Sequence, residues 1–550
     1  MPTLVALVRR LVHARSSHVW TRLSALWTAS QVSRCGSYSI ARLQAFDTYC
    51  RVTSLRRVVA VCLLTPLPSL MLPLLLECIP LEPPQLGLSA SRNLWIRCAL
   101  TNTMLTMNFI TQAHQMLPDL EIARWRIFCV AICTGISFAG ASWLIAWLWR
   151  FPIPFAFVAT SMPFGCLALF FFVMVIGTKP FQHVQHLGVK LRRLSRVMAV
   201  QFTLITIYPI YAALFMWFSS EQQTLFVITL PVLKLVMKNL MARTFINTHL
   251  EDSIPEITVF SVEIFNSLYI SACLQMASAA QRTILIVIAI DVAQSVFMGH
   301  GVVKRAVVPH ELRDPTAASP EVTMYASVRE SCRQLKFLRG GVNSDDNLDT
   351  LIRAGPSASI AAALTGSNQL DQSVAVLGSK GLNSIVPLRC PTPDRVSPPR
   401  TASRSREERS RIVKQTLAML FNCEYLVLVE YIECVIPIVY STFTFVLFHL
   451  PNAAFYSHVR TLTTEALYSK MFRLGEYTAL EVATLLGICL LLHLKLRFSA
   501  LYQLAFVLET HMEMIQAKLF VWVMYSLTYG LDHAGMNFSL VTDWLKDVTT

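Results

Sequence analysis

Long apolar runs, separated by short polar segments, are the dominant pattern along this chain. The runs show neither the two-residue alternation of a half-buried strand nor the 3.6-residue stripe of an amphipathic helix. Each run is about 17–25 residues long, the length a helix needs to cross a hydrocarbon core of about 30 Å. The pattern therefore predicts an all-α fold, a polytopic transmembrane helical bundle of about eleven spans (about ten to twelve). The predicted spans are residues 58–79, 95–117, 127–149, 153–177, 197–218, 224–241, 257–279, 283–303, 424–449, 478–494 and 515–531.

The spacing of these runs divides the chain into five segments. The predicted segments are a basic cytosolic N-terminal segment (1–57), a first part of the bundle with about eight spans (58–303), a cytosolic insertion (304–414), a second part of the bundle with about three spans (415–531) and a short C-terminal tail (532–550). Residues 498–512 precede the last span and are predicted to form an interfacial or half-inserted helix.

The insertion is rich in serine, proline, glycine and charges of both signs, which is typical of a soluble and partly disordered segment. Within it, residues 319–339 predict one amphipathic helix that begins at Ser319 as the N-cap. The apolar face of that helix needs a surface to pack on, either the bundle or a cytosolic protein partner. Residues 390–411 are of low complexity and are predicted to be disordered, and Ser397 and Ser403 are candidate phosphosites there.

Composition agrees with a membrane-embedded chain. Only 15% of the residues are charged and 54% are apolar, whereas soluble domains carry about 25% charged residues. The net charge of +14 comes mostly from lysine and arginine in short segments beside the apolar runs. Successive loops alternate between many and few lysines and arginines, and residues 450–477 are the exception. With the lysine- and arginine-rich loops inside, the positive-inside rule places the N-terminus in the cytosol. The same distribution predicts no nucleic-acid partner.

The first 57 residues contain nine arginines and a single acid, Asp47. An arginine-rich, acid-poor leader that starts "LVALVRRLVHARSS" is compatible with a mitochondrial presequence. The favoured interpretation is a cytosolic segment that lies on anionic lipid headgroups, because positive-inside retention predicts the same composition. We therefore expect a multi-pass protein of the plasma membrane or of an endomembrane. Mitochondrial targeting is the alternative.

Known catalytic and metal-binding patterns are missing from the sequence. The fourteen cysteines form no CxxC pair, and the chain contains no HExxH, GxGxxG, Walker A or GxSxG motif. We therefore predict a protein that is not an enzyme and has no catalytic, metal or cofactor site.

Charged residues inside spans cost about 2.5–3.5 kcal/mol each on insertion scales and are therefore candidate functional residues. Six of those in the predicted spans are the candidates here: Lys234, Lys238, Glu263, Asp291, Glu430 and Glu433. Glu481 lies near the start of the tenth span. At 1.5 Å per residue, Lys238 and Glu263 lie at similar depths on neighbouring spans, as do Lys234 and Asp291. Depth therefore predicts two structural ion pairs, Lys238–Glu263 and Lys234–Asp291.

Glu430 and Glu433 form a separate candidate site. They stand three residues apart, so they share one face of a helix, and no cation is predicted at their depth. Two adjacent carboxylates in a low dielectric cannot both stay ionised without a large cost, so one is expected to hold a proton. The pair is therefore a candidate proton or ion site; the alternative is a neutral glutamic acid that hydrogen-bonds across helices.

Several stretches of the chain resemble a large set of oomycete polytopic membrane proteins. The stretches are "GSYSIARLQAFDTYCRVTSLRRVVAVCLLTPLPSLMLPLLLECIPL", "NLMARTFINTHLEDSIPEITVFSVEIFNSLYISACLQ", "CEYLVLVEYIECVIPIVYS" and "LYQLAFVLETHMEMIQAKLFVWVMY". The resemblance covers most of the chain except the middle of the insertion. It implies a multi-spanning architecture and brings neither an activity nor functional residues.

Two function classes follow from these observations. The first is a small-solute or ion transporter, coupled to protons through Glu430 and Glu433. The second is a non-transporting membrane receptor or scaffold, in which the insertion binds partners and the intramembrane charges are structural ion pairs. In both, the lipid bilayer is the predicted surrounding.

Overall fold

The structure is a computed structural model whose described part is entirely helical and contains no strand. It describes residues 38–117, 120, 122–154, 156–177, 187–218, 222, 226, 229–244, 254–276, 294–295, 298–299, 400–496, 499–528 and 530–534. The predicted helix 319–339, Ser397 and Asp291 lie outside these residues.

The helices are numbered in chain order. They are α1 (Ile40–Val52), α2 (Leu55–Leu64), α3 (Leu67–Glu77), α4 (Arg92–Met116), α5 (Arg124–Leu148), α6 (Ala156–Ala159), α7 (Ser161–Ile176), α8 (Leu187–Trp217), α9 (Thr229–Arg243), α10 (Ile254–Thr258), α11 (Ile264–Met276), α12 (Arg400–Phe448), α13 (Thr464–Leu496), α14 (Ala500–Thr510) and α15 (Met512–Thr528). A π-helical turn (Val259–Glu263) joins α10 to α11, and three short 3₁₀ turns follow α3, α12 and α15.

The centre of the bundle is built from segments that are buried on all sides. Residues 254–271 are buried throughout, and so are nearly all residues from 416 to 434 on α12 and from 514 to 525 on α15. A helix that is apolar all round must be shielded from water, by other helices or by lipid, and here other helices surround these segments. The π turn packs on α9, α12 and α15, and α12 also packs on α11, α13 and α14.

Four helical stretches in the described part are long and apolar enough to cross a membrane, and they place the chain among helical membrane proteins. They are Leu55–Glu77, Arg124–Leu148, Thr416–Phe448 and Thr464–Leu494. Large apolar side chains such as Trp147, Leu169 and Leu486 point outward on α5, α7 and α13. An outer surface this apolar suits lipid and not water. The count of about eleven spans is not confirmed, because among the described residues four stretches meet the length and hydropathy requirement.

Two predicted boundaries differ from the structure. Residues 400–411 were assigned to the disordered end of the insertion, but α12 begins at Arg400 and continues without a break to Phe448. Helix formation is cooperative, so a long helix with a buried face extends readily into a polar flank that contains no proline or glycine. The interfacial helix predicted at 498–512 is α14, which is buried from Gln503 to Leu508 and packs on α2 and α12.

The crossing of α4 and α5 is unusually close at Gly135. A Cβ atom placed there would lie 2.6 Å from the carbonyl oxygen of Ala99 and 2.8 Å from the backbone nitrogen of Thr103. Both atoms belong to the backbone of α4, so no side-chain rotation relieves the clash. Small residues at such crossings let membrane helices approach each other closely.

We therefore expect Gly135→Ala to lower the free energy of unfolding by about 1–3 kcal/mol, as overpacking generally does. Gly140→Ala on the same helix is the matched control, because nothing lies within 4 Å of its added Cβ, and alanine favours the helix slightly. Unfolding in mixed detergent micelles measures both variants. Equal effects of the two substitutions would contradict the close crossing.

Candidate functional site

Six charged side chains, five of them buried and Lys238 partly buried, meet at the centre of the bundle, where four helical elements pack together. We call these residues the central cluster: Lys234 and Lys238 of α9, Glu263 of the π turn, Glu430 and Glu433 of α12, and Glu481 of α13. The four carboxylate residues are at most 4% exposed, and the Lys234 side chain is 6% exposed. Charges are costly to bury without partners, so these side chains must stabilise one another.

The two lysines connect α9 to the facing elements. Lys234 Nζ lies 2.7 Å from a Glu433 oxygen and 3.0 Å from a Glu263 oxygen, so one ammonium bridges α12 and the π turn. Lys238 forms an ion pair with the other oxygen of Glu263. Its ammonium also lies 5.5 Å from the ring centroid of Tyr425, within the range of a cation–π contact. Glu263 thus receives both ammonium groups.

The π turn sets the position of Glu263. One extra residue per turn interrupts the regular register between α10 and α11, and such turns are frequent at functional sites. Ser261, in the same turn, donates its hydroxyl to the Ile257 carbonyl and accepts a hydrogen bond of 2.6 Å from Lys518 Nζ. The turn is therefore held by lysines from two sides, α9 and α15.

Three carboxylates of the central cluster converge on one point. One oxygen from each of Glu430, Glu433 and Glu481 lies within 4.8 Å of the other two. The hydroxyl of Ser295 donates a hydrogen bond of 2.5 Å to Glu430. We call Glu430, Glu433 and Glu481 the carboxylate triad.

Charge balance limits what the central cluster can be. It contains four carboxylates and two lysines, so full ionisation leaves an excess of negative charge in a low dielectric. Like charges this close raise each other's cost of ionisation, and a proton or a cation relieves it. Three oxygens at this spacing can share a proton or ligate a hard cation such as Na⁺ or Ca²⁺. The site can therefore bind and release positive charge.

The structure contains one of the two predicted ion pairs, Lys238–Glu263. The other, Lys234–Asp291, stays a prediction, because Asp291 lies outside the described residues. Within the described residues Lys234 contacts Glu263 and Glu433. The prediction that no cation stands at the depth of the Glu430–Glu433 pair was therefore wrong. Depth specifies the position of a side chain along the membrane normal only. The rotation of α9 about its own axis decides which helix Lys234 faces, and it faces α12.

Sequence reasoning missed Glu481 as a member of the site. It stands near the start of its predicted span, where a carboxylate usually faces the headgroups. The signal that could have found it is the direct succession of α12 and α13, joined by residues 449–463, because consecutive elements usually pack as neighbours. An acid near the start of the apolar stretch of α13 then faces the second half of α12.

A second charged network lies where α1, α10, α12 and α14 meet. The guanidinium of Arg42 pairs with Glu256 and lies 2.7 Å from Glu424. His511, between α14 and α15, has its Nε2 3.3 Å from Glu256. The guanidinium also stacks on Tyr38, 4.9 Å from the ring centroid. One arginine therefore ties the N-terminal segment to two helices of the core.

A third network lies beyond the C-terminal end of α12. Glu77 pairs with Arg97, accepts a hydrogen bond of 2.6 Å from the Tyr456 hydroxyl and one of 3.2 Å from the Asn452 side chain. Asn452 also donates to the carbonyl oxygen of Ile79 and accepts from the backbone of Leu81. This network joins the end of α3, the start of α4 and the turn after α12.

The pH dependence of stability is expected to report on His511. Burial lowers the pKa of its imidazole to about 4, and Arg42 acts in the same direction while Glu256 opposes it. The unfolded chain, with a pKa of about 6.5, binds a proton that the folded chain does not. Stability is therefore present above about pH 6.5 and is lost as the pH falls toward 4. Between pH 7 and pH 5 the titration of this residue is expected to lower the free energy of unfolding by about 2 kcal/mol.

His511→Gln is expected to lose that share of the pH dependence, whereas His493→Gln, at an exposed position on α13, keeps it. The measurement is the free energy of unfolding at pH 7 and at pH 5 for the native chain and both variants. A native slope that persists in His511→Gln would show that another group carries it.

Comparison with protein-family models, curated proteins and solved structures finds no match for this chain. Its assignment to the helical membrane proteins therefore depends on its four apolar helices. What the charged interior does is argued from the contacts of the central cluster.

Proposed function

We propose that this chain is a membrane transporter for a small solute or an ion, and that the carboxylate triad couples transport to protons. The observation that carries the proposal is the convergence of Glu430, Glu433 and Glu481 within 4.8 Å inside the bundle. Buried ionisable groups in membrane spans are costly and typically mark ion or proton pathways. A site with more carboxylates than lysines gains most from binding a proton or a cation.

The contacts of Lys234 can link the protonation of the triad to a movement of α9. Its ammonium is shared between Glu433 of the triad and Glu263 of the π turn. A proton on the triad weakens the pull on Lys234, and loss of that proton strengthens it. The position of α9 between the π turn and α12 therefore responds to the charge of the triad. Alternating access requires two arrangements of the helices, and a proton on the triad would favour one of them over the other.

A membrane receptor or scaffold is the second candidate function. The observation that favours it is the pairing of buried charges along the middle of α12 and beyond its C-terminal end. Paired charges can simply lock helices in register. In this alternative the insertion 304–414 binds a cytosolic partner, and the triad holds a permanent proton.

The proposal also includes the arrangement of the chain in the membrane. It comprises about eleven spans, a cytosolic N-terminus on anionic lipid, and kinship with the oomycete membrane proteins that the chain resembles. The arginines on the flanks of the predicted spans and the outward apolar side chains of α5, α7 and α13 support it.

Two measurements test the transport proposal. The first is a potentiometric titration of the purified chain in detergent, which counts protons bound between pH 8 and pH 5. Glu481→Gln is expected to bind fewer protons than the native chain in this range. The second uses liposomes that contain the chain and a trapped pH-sensitive dye, with gradients of Na⁺, K⁺ and Ca²⁺ imposed in turn. A gradient of a coupled cation is expected to move protons.

Glu476→Gln is the matched control, because Glu476 is exposed on the same helix. It is expected to leave both readouts unchanged, whereas Glu481→Gln abolishes the proton movement. Absence of proton movement in every gradient would contradict proton-coupled transport and favour the scaffold. Equal titration of the native chain and Glu481→Gln would show that the triad is not the proton site.

A further inference from the structure

An elongated cavity of about 220 Å³ lies beside α4, away from the central cluster. Its lining residues follow one face of α4 for about four helical turns, from Leu94 to Phe109. Helices α5, α7 and α8 and the last turns of α15 form the other sides. The six residues of the central cluster are not part of this wall. A ligand of the cavity is therefore independent of the proposed proton site.

Hydrocarbon side chains and aromatic rings form most of the cavity wall. Phe138 of α5 and Phe164 of α7 pack edge to face, with 5.6 Å between their ring centroids. Buried apolar side chains of the wall also include Ile153, Val521 and Met524. A wall of this kind stays dry and favours apolar ligands over water.

Most polar side chains of the wall already have protein partners. The guanidinium of Arg97 is paired with Glu77. The thiol of Cys98 is hydrogen-bonded to Ser142, and Ser161 has a partner as well. Four other side chains donate to backbone carbonyl oxygens: Asn102, Thr160, Tyr525 and Thr528. These groups are not available to a ligand.

Three further polar groups of the wall do not require a polar ligand. The indole Nε1 of Trp95 and the Nδ1 of His533 have almost no accessible surface, so neither atom faces the cavity. The hydroxyl of Thr101 belongs to a helix, where a threonine can donate to the carbonyl oxygen four residues earlier. The surface that a ligand meets is therefore apolar.

Phe202 of α8 lies where the cavity meets the outer surface of the bundle. Its side chain lines the cavity and is also 37% exposed. Ile210, two turns further along the same helix, is exposed too. An apolar outer surface suits lipid. A hydrocarbon chain can therefore reach the cavity from the bilayer, past Phe202, without crossing water.

We propose that this cavity binds the acyl chain of a phospholipid, which enters past Phe202 while the headgroup stays outside the protein. The apolar wall and the elongated shape fit an unbranched hydrocarbon chain. A cavity of about 150 Å³ takes benzene, so this cavity has room for about nine carbon atoms of the chain. A free fatty acid fits less well, because its carboxylate needs a cation and Glu77 already neutralises Arg97.

Photo-crosslinking in liposomes tests the proposal. The full chain is reconstituted in phosphatidylcholine, a small fraction of which carries a diazirine at the end of one acyl chain. Illumination attaches this chain to the residues it contacts, and peptide mass spectrometry locates them. Met524 lines the cavity and is 2% exposed, so chains in the surrounding bilayer do not reach it. Leu169 points outward on α7 and reports those chains. We expect labelling of both residues.

Variants that fill the cavity separate the bound chain from the surrounding lipid. Ala156→Phe on α6 and Val521→Phe on α15 each add volume to the wall. Both are expected to lose labelling of Met524 and to keep that of Leu169. Ala159→Phe, exposed on α6 and outside the wall, is the control and is expected to keep both.

Three results would contradict the proposal. Labelling of Leu169 without Met524 in the native chain would show that no acyl chain enters. Unchanged labelling of Met524 in both filled variants would show that the chain reaches this residue by another route. Labelling of Met524 by a fatty acid with the same diazirine, but not by the phospholipid, would overturn the phospholipid as the source of the chain.

Discussion

Replacing Lys234 by methionine is expected to lower the free energy of unfolding by about 3–5 kcal/mol, the range found when one partner of a buried ion pair is removed. The ammonium bridges Glu433 and Glu263, at 2.7 Å and 3.0 Å. Without it, Glu433 faces the other two carboxylates of the triad with less positive charge nearby. Methionine keeps the length and the apolar stem of lysine, so lost packing contributes little to the difference.

Val236→Met is the matched control, since Val236 is on α9 and 52% exposed. It is expected to change stability by no more than about 0.5 kcal/mol. Unfolding in mixed micelles measures each variant, and a double-mutant cycle with Glu433→Gln isolates the contact. We expect the double variant to be more stable than the sum of the single losses predicts. Additivity within about 0.5 kcal/mol would show that Lys234 and Glu433 do not interact in the folded protein.

The class of fold was predictable from run length alone, because only a helix satisfies every backbone group in lipid over about 20 apolar residues. The burial of charge at Lys238 and Glu263 was predictable too. Two opposite charges at one depth on neighbouring spans have a strong electrostatic reason to meet. Those predictions depend on distance along the membrane normal, which residue number measures directly.

What depended on rotation about the helix axes was not predictable. Lys234 stands one turn from Lys238, and whether it faces α12 or another helix depends on how α9 packs. Glu481 entered the site for the same reason, through the packing of α13 on α12. A single sequence holds no direct measure of either angle. The carboxylate triad therefore emerged only from the three-dimensional arrangement.

Two buried arginines show what the positive-inside rule leaves open. Arg42 belongs to the N-terminal segment predicted to lie on anionic lipid headgroups, and Arg97 lies near the start of the second predicted span. In the structure both are buried and paired, Arg42 with Glu256 and Glu424 and Arg97 with Glu77. The planar guanidinium can join two carboxylates at once, which suits such junctions. The rule orients a chain but does not show which of its arginines belong to the core.

Arg42→Met is expected to lower the free energy of unfolding by about 3–5 kcal/mol, because it leaves two buried carboxylates facing each other. Glu256 and Glu424 are each at most 1% exposed, and Arg42 contacts both. Arg51→Met on the same helix is the control, since its pair with Asp47 is exposed, and such pairs contribute about 0–1 kcal/mol. Equal losses for the two variants would show that Arg42 does not hold α1 to the core.

The pH dependence of the same variant provides a readout that lost packing cannot reproduce. In the native chain Arg42 helps to keep the pKa of His511 low, against the attraction of Glu256 3.3 Å away. Removal of the guanidinium leaves that attraction unopposed, so the pKa of His511 is expected to rise. The folded chain then binds the proton more readily, and Arg42→Met is expected to lose less stability than the native chain between pH 7 and pH 5. A packing defect alone would lower stability equally at both pH values.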